Sequence, residues 1–229
     1  MKTLGIVGGM GPESTVDYYQ KVIAIYRERK PDGSYPTFLI NSVDLTKGRG
    51  MVEANDRVGL TKFLLEPLER LARAGADFGL MAANTPHLVF DEVAQKSPIP
   101  LISVVETACA AAKEHGLKKL ALFGTRYTMQ ADFFPKVFTR ENIGLVSPEP
   151  AEQDYIHQKY FDELVPGKFL PETKAGLLAI VDRMRSEVDG VLLAGTELAL
   201  ILREPEHNGI PMLDTARIHC QAAVNEMFK

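Results

Sequence analysis

The sequence predicts an α/β protein of two pseudo-symmetric lobes, each a mainly parallel sheet flanked by helices. Short runs rich in Ile, Val, Leu and Phe alternate with longer stretches of helical periodicity, which is typical of a parallel sheet covered by helices. In addition, the pair LGIVGG and LMAANT is echoed downstream by LALFGT and LLAGTE. From Gly8 to Ala83 is 75 residues and from Gly124 to Gly195 is 71 residues, so two similar strand motifs recur at nearly equal spacing.

Eight apolar runs are the predicted strands, and most of them end at small or polar residues. They cover residues 3–8, 37–42, 78–83, 100–103, 119–124, 144–147, 190–195 and 210–213. Continuous apolar runs of this kind fit strands that are buried on both faces of a sheet. The carboxyl ends of these strands are therefore expected to face a common cleft between the lobes.

Six segments with apolar residues at three- and four-residue spacing are the predicted helices. They cover residues 13–29, 57–75, 103–116, 128–142, 172–187 and 215–228. The second ends at Gly75, as helices commonly do. Pro135 is expected to break or kink the fourth.

The lobe boundary is predicted near SPIPLIS, at residues 97–103. The first lobe would comprise residues 1–100 plus 212–229, and the second residues 101–211. In this arrangement the last helix crosses back to the first lobe.

Composition narrows the classes of partner. The chain has 229 residues, a formal net charge of −4 and no basic run, which argues against nucleic acid as a partner. No apolar segment is long enough to cross a bilayer and no signal peptide is recognisable, so we expect no membrane association and a cytoplasmic location. Cys109 and Cys220 lack any metal or redox spacing and are interpreted as core thiols.

Amide, hydroxyl and basic side chains follow the predicted strands and are candidates for binding a small carboxylate or amine. Arginine binds carboxylates well through two parallel hydrogen bonds. The candidates are Asn84 and Thr85, Thr125 and Thr128, Thr196 and Glu197, and Lys47 and Arg49 in a predicted loop.

Two further features leave alternatives open. GIVGGMGPEST places glycines between a strand and a helix, where backbone N–H groups either hold a small carboxylate or only form a tight turn; it matches no nucleotide motif. His87 is either a general acid or a packed histidine at a helix start, where Pro86 suits the first turn.

Together, the motifs GIVGGMGPEST, NTPH, FGT, GTEL and DTARIHCQAAV resemble the aspartate/glutamate racemase family across essentially the whole chain. The resemblance implies two α/β lobes with one active site between them, an amino dicarboxylate as ligand, no cofactor or metal, and a homodimer. It also implies racemisation by two cysteines, one thiolate removing the α-proton and the opposite thiol returning one.

At the two positions that match those cysteines, this chain has Ala83 and Gly195. Cys109 and Cys220 lie outside both motifs. The resemblance assigns substrate binding to a polar set that is retained: Arg49, Asn84, Thr85, Thr125, Thr128 and Thr196. The family's usual lysine near ELVKG is replaced by Pro166, so Lys168 becomes the candidate there.

Three functional interpretations follow. In the first, the chain is a racemase or related isomerase that uses other acids and bases, with Glu13, His87, Glu197 or a held water as candidates. In the second, it is a catalytically inactive dicarboxylate-binding or regulatory protein. In the third, it is an inactivated variant of an ordinary racemase, for which alanine is a common replacement and glycine an unusual one.

Overall fold

The computed structural model describes residues 1–229 and divides the chain into two compact units. Unit 1 comprises Met1–Val104 with Ala216–Lys229, and unit 2 comprises Val105–Thr215. Both are α/β units with mainly parallel sheets, so the predicted fold class is confirmed. No helix is long and apolar enough to span a membrane.

Unit 1 contains a four-stranded sheet in which every pairing is parallel, in the order β2-β1-β3-β4. Its elements are β1 (Leu4–Gly8), α1 (Pro12–Arg29), β2 (Phe38–Ser42), α2 (Leu45–Glu53), α3 (Arg57–Arg73), β3 (Phe78–Met81), a 3-10 helix (Thr85–Val89), α4 (Phe90–Lys96) and β4 (Leu101–Ile102).

Unit 2 contains a five-stranded sheet in the order β6-β5-β7-β9-β8, in which only β8 runs antiparallel to its neighbour. Its elements are α5 (Val104–Glu114), β5 (Lys119–Gly124), α6 (Arg126–Met129), α7 (Phe133–Phe138), a 3-10 helix (Thr139–Glu141), β6 (Gly144–Val146), α8 (Pro150–Lys159), a π-helix (Tyr160–Leu164), α9 (Pro171–Met184), β7 (Gly190–Ala194), α10 (Leu198–Ile201), β8 (Glu206–His207) and β9 (Ile210–Asp214). The last helix, α11 (Thr215–Met227), belongs to unit 1 from Ala216 onward.

The central strands of the unit 1 sheet, β1 and β3, are buried on both faces. Alternate residues of a strand point to opposite faces. Leu4 and Ile6 of β1 accordingly pack with buried residues of α1 and α11, whereas Val7 packs with leucines of α3. Because both faces are covered, β1 and β3 are continuous apolar runs, which made them recognisable in the sequence.

Two local predictions were wrong. The segment DLTKGRGM, residues 44–51, was expected to be a loop, but from Leu45 onward it belongs to α2, whose cap Asp44 accepts a hydrogen bond from the Thr46 amide at 2.9 Å. The segment 128–142 is not one helix, and its break falls at residues 130–132 rather than at Pro135. Pro135 lies in the first turn of α7, where the missing N–H costs no helical hydrogen bond.

Candidate functional site

In unit 1, the amide and hydroxyl predicted to bind substrate lie just beyond the carboxyl end of β3. Ala83 is 4% exposed and belongs to the apolar core on the α3 side of the sheet. Asn84 is buried, and Thr85 is partly exposed at the start of the 3-10 helix that also contains Pro86. Beyond the end of β3, residue 83 therefore contributes a buried methyl group, and an amide and a hydroxyl follow it.

His87 is held as a neutral imidazole. The Val104 amide donates to Nε2 at 3.2 Å, so Nε2 is the unprotonated nitrogen and Nδ1–H donates to the Ala83 carbonyl at 3.0 Å. Burial, together with the nearby His219, lowers the pKa of His87 to about 3. Both ring nitrogens are engaged with backbone groups. These contacts favour the packed-histidine interpretation over an acid–base role.

His219 of α11 lies beside His87, with ring centroids 6.3 Å apart, and is also neutral. Its Nε2 lies 2.9 Å from the Ile102 carbonyl, which can only accept, so Nδ1 must accept from the Tyr18 hydroxyl at 3.0 Å. Burial lowers the pKa of His219 to about 4. The two histidines thus link the segment that follows β3, the end of β4, Val104, α1 and α11 within unit 1.

The glycine-rich turn after β1 is shaped by close packing. A Cβ at Gly8 would lie 2.5 Å from Thr15 Cγ2, and Gly9 has a φ of +88°. The Gly9 amide donates to Thr15 Oγ1 at 2.7 Å, so this amide is bound within the protein. These contacts favour the tight-turn interpretation over an anion cradle. Glu13, in the first turn of α1, is exposed.

The basic residues after β2 are exposed. Lys47 and Arg49 both lie on α2, and Arg49 Nε donates to Glu53 Oε1 at 2.6 Å. The Arg49 and Glu53 side chains are each 43% exposed, so this ion pair adds little stability. Arg49 therefore lies on a helical surface after β2, and its position there is fixed by the helix rather than by a loop.

In unit 2, two hydroxyls follow β5. Thr125 caps α6, since its Oγ1 accepts from the Thr128 amide at 3.3 Å, and its Oγ1 lies 3.2 Å from Thr128 Oγ1. Both threonines are buried. Their positions are thus set by a helix cap at the carboxyl end of the strand.

The second group in unit 2 follows β7 and centres on Glu197, whose side chain is fully buried. Thr196 Oγ1 donates to Glu197 Oε2 at 2.8 Å, and the Tyr160 hydroxyl donates to the same oxygen. Burial, and after it the neighbouring Glu197, raises the pKa of Tyr160 well above its usual range. Tyr160 was not among the candidates from sequence, because no motif links it to residues 195–197.

The remaining candidates lie apart from these groups. Lys168 is exposed beyond the π-helix, where its backbone amide donates to the Glu163 carbonyl at 2.8 Å. Cys109 and Cys220 form no disulfide and are buried among core residues, which confirms that they are core thiols. Burial raises the pKa of Cys109, so this thiol loses its proton less readily than an exposed cysteine does. No group of three or more His, Cys, Asp or Glu side chains is arranged to hold a metal ion.

Polar side chains thus follow three of the strands, β3, β5 and β7. The model of the Asp/Glu/Hydantoin racemase family matches residues 7–223. The chain belongs to this racemase family. Among curated proteins, it is 23% identical over 233 residues to the broad specificity amino-acid racemase RacX of Bacillus subtilis (strain 168), covering 97% of this chain and 96% of that protein.

Solved structures agree with the family assignment. An aspartate racemase homologue from Pyrococcus horikoshii OT3 is 32% identical, with a TM-score of 0.84 and complete coverage (100%) of both chains. The aspartate racemase of Picrophilus torridus is 22% identical, also with a TM-score of 0.84, over 100% of this chain and 95% of that one. The latter similarity supports the fold of the racemase family.

Proposed function

We propose that this racemase-family chain binds a small amino dicarboxylate of the aspartate or glutamate type and does not racemise it by the two-thiol route. The ligand would lie in the inter-lobe cleft that the family resemblance implies. We also propose that the protein needs no cofactor or metal, forms a homodimer, is cytoplasmic and does not bind nucleic acid. These proposals rest on the family resemblance and on composition.

The observation that carries this proposal is the contrast between retained polar groups and lost thiols. Hydroxyl and amide side chains still follow β3, β5 and β7. The two positions that match the catalytic cysteines instead contain Ala83 and Gly195, neither of which can transfer a proton. Loss of a general base typically costs about 10²–10⁴-fold in rate, and paired groups that act as a unit cost more.

Three side chains were considered from the sequence as acids or bases in place of the cysteines, and the structure supports them unequally. His87 has both nitrogens committed to backbone groups. Glu13 is exposed on α1. Glu197 is the one of the three with a buried carboxylate, and it lies two residues beyond Gly195. This observation supports the second candidate function: an isomerase that uses Glu197 as its base on one face of the substrate.

Proton exchange distinguishes the two functions. The protein is incubated in deuterated water with L- and D-aspartate and with L- and D-glutamate, and α-deuterium is measured by mass spectrometry. We expect no exchange, together with binding at millimolar or lower Kd by calorimetry. Exchange into a single enantiomer that is abolished by Glu197→Gln would instead establish the isomerase. Absence of binding by every amino or hydroxy dicarboxylate would refute both functions.

A substitution of Arg49 tests whether this residue belongs to the proposed binding site. If its guanidinium contacts a ligand carboxylate, Arg49→Ala should weaken dicarboxylate binding by about 1.5–3 kcal/mol, the range for a charged hydrogen bond. Arg70→Ala is the matched control, because Arg70 forms a similar i,i+4 pair with Glu66 on the exposed face of α3. Equal affinities in calorimetry for wild type and Arg49→Ala would place Arg49 outside the site.

A further inference from the structure

Gly195 is a position where a side chain does not fit the surrounding packing. A Cβ built there would lie 2.7 Å from Tyr160 Cε2, and 3.2 Å from Leu198 Cδ1. Real Cβ atoms do not approach other heavy atoms as closely as the first of these distances. The aromatic ring of Tyr160 therefore occupies the space that a side chain at residue 195 would require.

The Tyr160 ring is held in that space from several directions. Tyr160 is 7% exposed and packs in the apolar core of unit 2 with Leu198. Its ring meets the Phe161 ring edge-on at 5.4 Å between centroids, and its hydroxyl is bound to Glu197. Because both the ring and the hydroxyl are fixed, the ring cannot move away from residue 195 at little cost.

The backbone that begins at Tyr160 has an unusual geometry. Tyr160 is the first residue of a five-residue π-helix, directly after α8. The Tyr160 carbonyl accepts from the Val165 amide at 2.9 Å, and such π-helical segments occur frequently at functional sites. The phenol of Tyr160 lies at the start of this turn and reaches the end of β7.

From these contacts we propose that Tyr160 is a positioning residue of the unit 2 site. Its ring replaces the side chain of residue 195, and its hydroxyl, together with Thr196, holds the Glu197 carboxylate in one orientation for ligand recognition. Gly195 and Tyr160 are thus a matched pair: the glycine is required because the ring is there. The part that concerns ligand recognition rests on the proposed dicarboxylate binding.

The raised pKa of Tyr160 is consistent with this role, because the phenol keeps its proton at neutral pH and stays a hydrogen-bond donor. Tyr160 therefore orients the carboxylate rather than exchanging protons with a ligand. A phenylalanine at this position would keep the ring and remove only the hydroxyl. This difference separates the packing role from the positioning role.

The packing role is tested by a mutant cycle at residues 160 and 195 that needs no ligand. Gly195→Ala is made in wild type, in Tyr160→Phe and in Tyr160→Val, and Tm is measured. Overpacking should lower Tm by about 3–10 °C in the first two backgrounds, which keep the ring, and by much less in the third. If Gly195→Ala alone is insoluble, Tyr160→Val should restore soluble protein. An equal effect in all three backgrounds, or no rescue, would overturn the matched pair.

The positioning role is tested with L- and D-aspartate as probes. Tyr160→Phe should weaken calorimetric binding of the preferred enantiomer severalfold, because the Glu197 carboxyl group loses one of the two hydroxyl donors that hold its orientation. Tyr155→Phe is the control, since it removes a phenol from neighbouring α8. Unchanged affinity in Tyr160→Phe would overturn the positioning role.

Failure of the proposed function is distinguishable from failure of this inference. If wild type binds neither enantiomer of aspartate and no other amino or hydroxy dicarboxylate, the proposed dicarboxylate binding fails, and Tyr160 is judged by stability alone. In that case Tyr160→Phe and Glu197→Leu should lower Tm non-additively, because both remove the hydrogen bond between the Tyr160 hydroxyl and residue 197. Additive effects would then overturn the link between Tyr160 and Glu197.

Discussion

His87 illustrates what a single residue reveals only in its three-dimensional surroundings. In sequence it follows a strand and precedes a helix, where a catalytic and a packed histidine look alike. In the fold its two nitrogens hold the Ala83 carbonyl and the Val104 amide. The amide lies 17 residues downstream, so no local pattern could identify it as the partner.

This arrangement predicts that His87 matters for stability. His87→Ala leaves the Val104 N–H and Ala83 C=O without their imidazole partner and opens a cavity, which should cost about 2–4 kcal/mol in the free energy of unfolding. Urea unfolding measures the change. His115→Ala, at an exposed histidine, is the control and should change stability little. A stable His87→Ala protein that has lost ligand binding would restore the acid–base interpretation.

Tyr160 is a site residue that could not be predicted from the sequence. Residues that follow strands could be predicted because parallel strands bring their carboxyl ends to one edge of a sheet. Tyr160 comes from a different element and lies 37 residues before Glu197 in sequence. Only tertiary packing in the core of unit 2 brings its ring beside Gly195.

Among whole elements, those with an apolar stripe were predictable and those without one were not. Helix α3 buries Leu60, Leu64, Leu68 and Leu71 at three- and four-residue spacing, and its periodicity is plain in the sequence. By contrast, α2 buries only Gly48 and α8 only Ile156. These two helices depend on their caps and on tertiary context, which a periodicity pattern does not contain.

The cap of α2 therefore offers a test at this scale. Asp44→Ala removes the acceptor for the Thr46 amide and should cost about 0.5–2 kcal/mol in stability. Because α2 contains Arg49, the same change should also weaken dicarboxylate binding in calorimetry. Asp56→Ala is the matched control, since Asp56 caps α3 through the Gly59 amide at 2.8 Å. Equal effects of the two variants on affinity would separate α2 from the binding site.

For the whole molecule, the fold class of two parallel-sheet units could be predicted because it depends on sequence features that do not require knowledge of the tertiary packing. Continuous apolar runs mark strands covered on both faces, and the echo between the two halves marks two similar sheets. The exact helix content of each half did not follow, because unit 2 contains short helices at residues 126–129 and 133–138 where the sequence suggested one.

The buried histidine pair gives the molecule a pH dependence with a definite sign. His87 and His219 have folded pKa values of about 3 and about 4, against 6.5 when unperturbed. Between these values the unfolded chain binds protons that the folded chain does not, so stability is complete above pH 6.5 and falls as the pH decreases toward 4. The groups that face the pair are the Tyr18 hydroxyl and backbone amide and carbonyl groups, none of which offers a negative charge to an imidazolium.

We expect each histidine to contribute about 2 kcal/mol to the loss of stability between pH 7 and pH 4.5, since one unit of pKa shift corresponds to about 1.4 kcal/mol. His219→Asn should lower stability at pH 7 and make the dependence on pH shallower, as measured by urea unfolding at several pH values. Carboxylates that titrate in the same range are present in both proteins and cancel in the difference. His115→Asn should leave the slope unchanged. A parallel pH profile for wild type and His219→Asn would show that His219 takes up a proton in the folded protein as readily as in the unfolded chain.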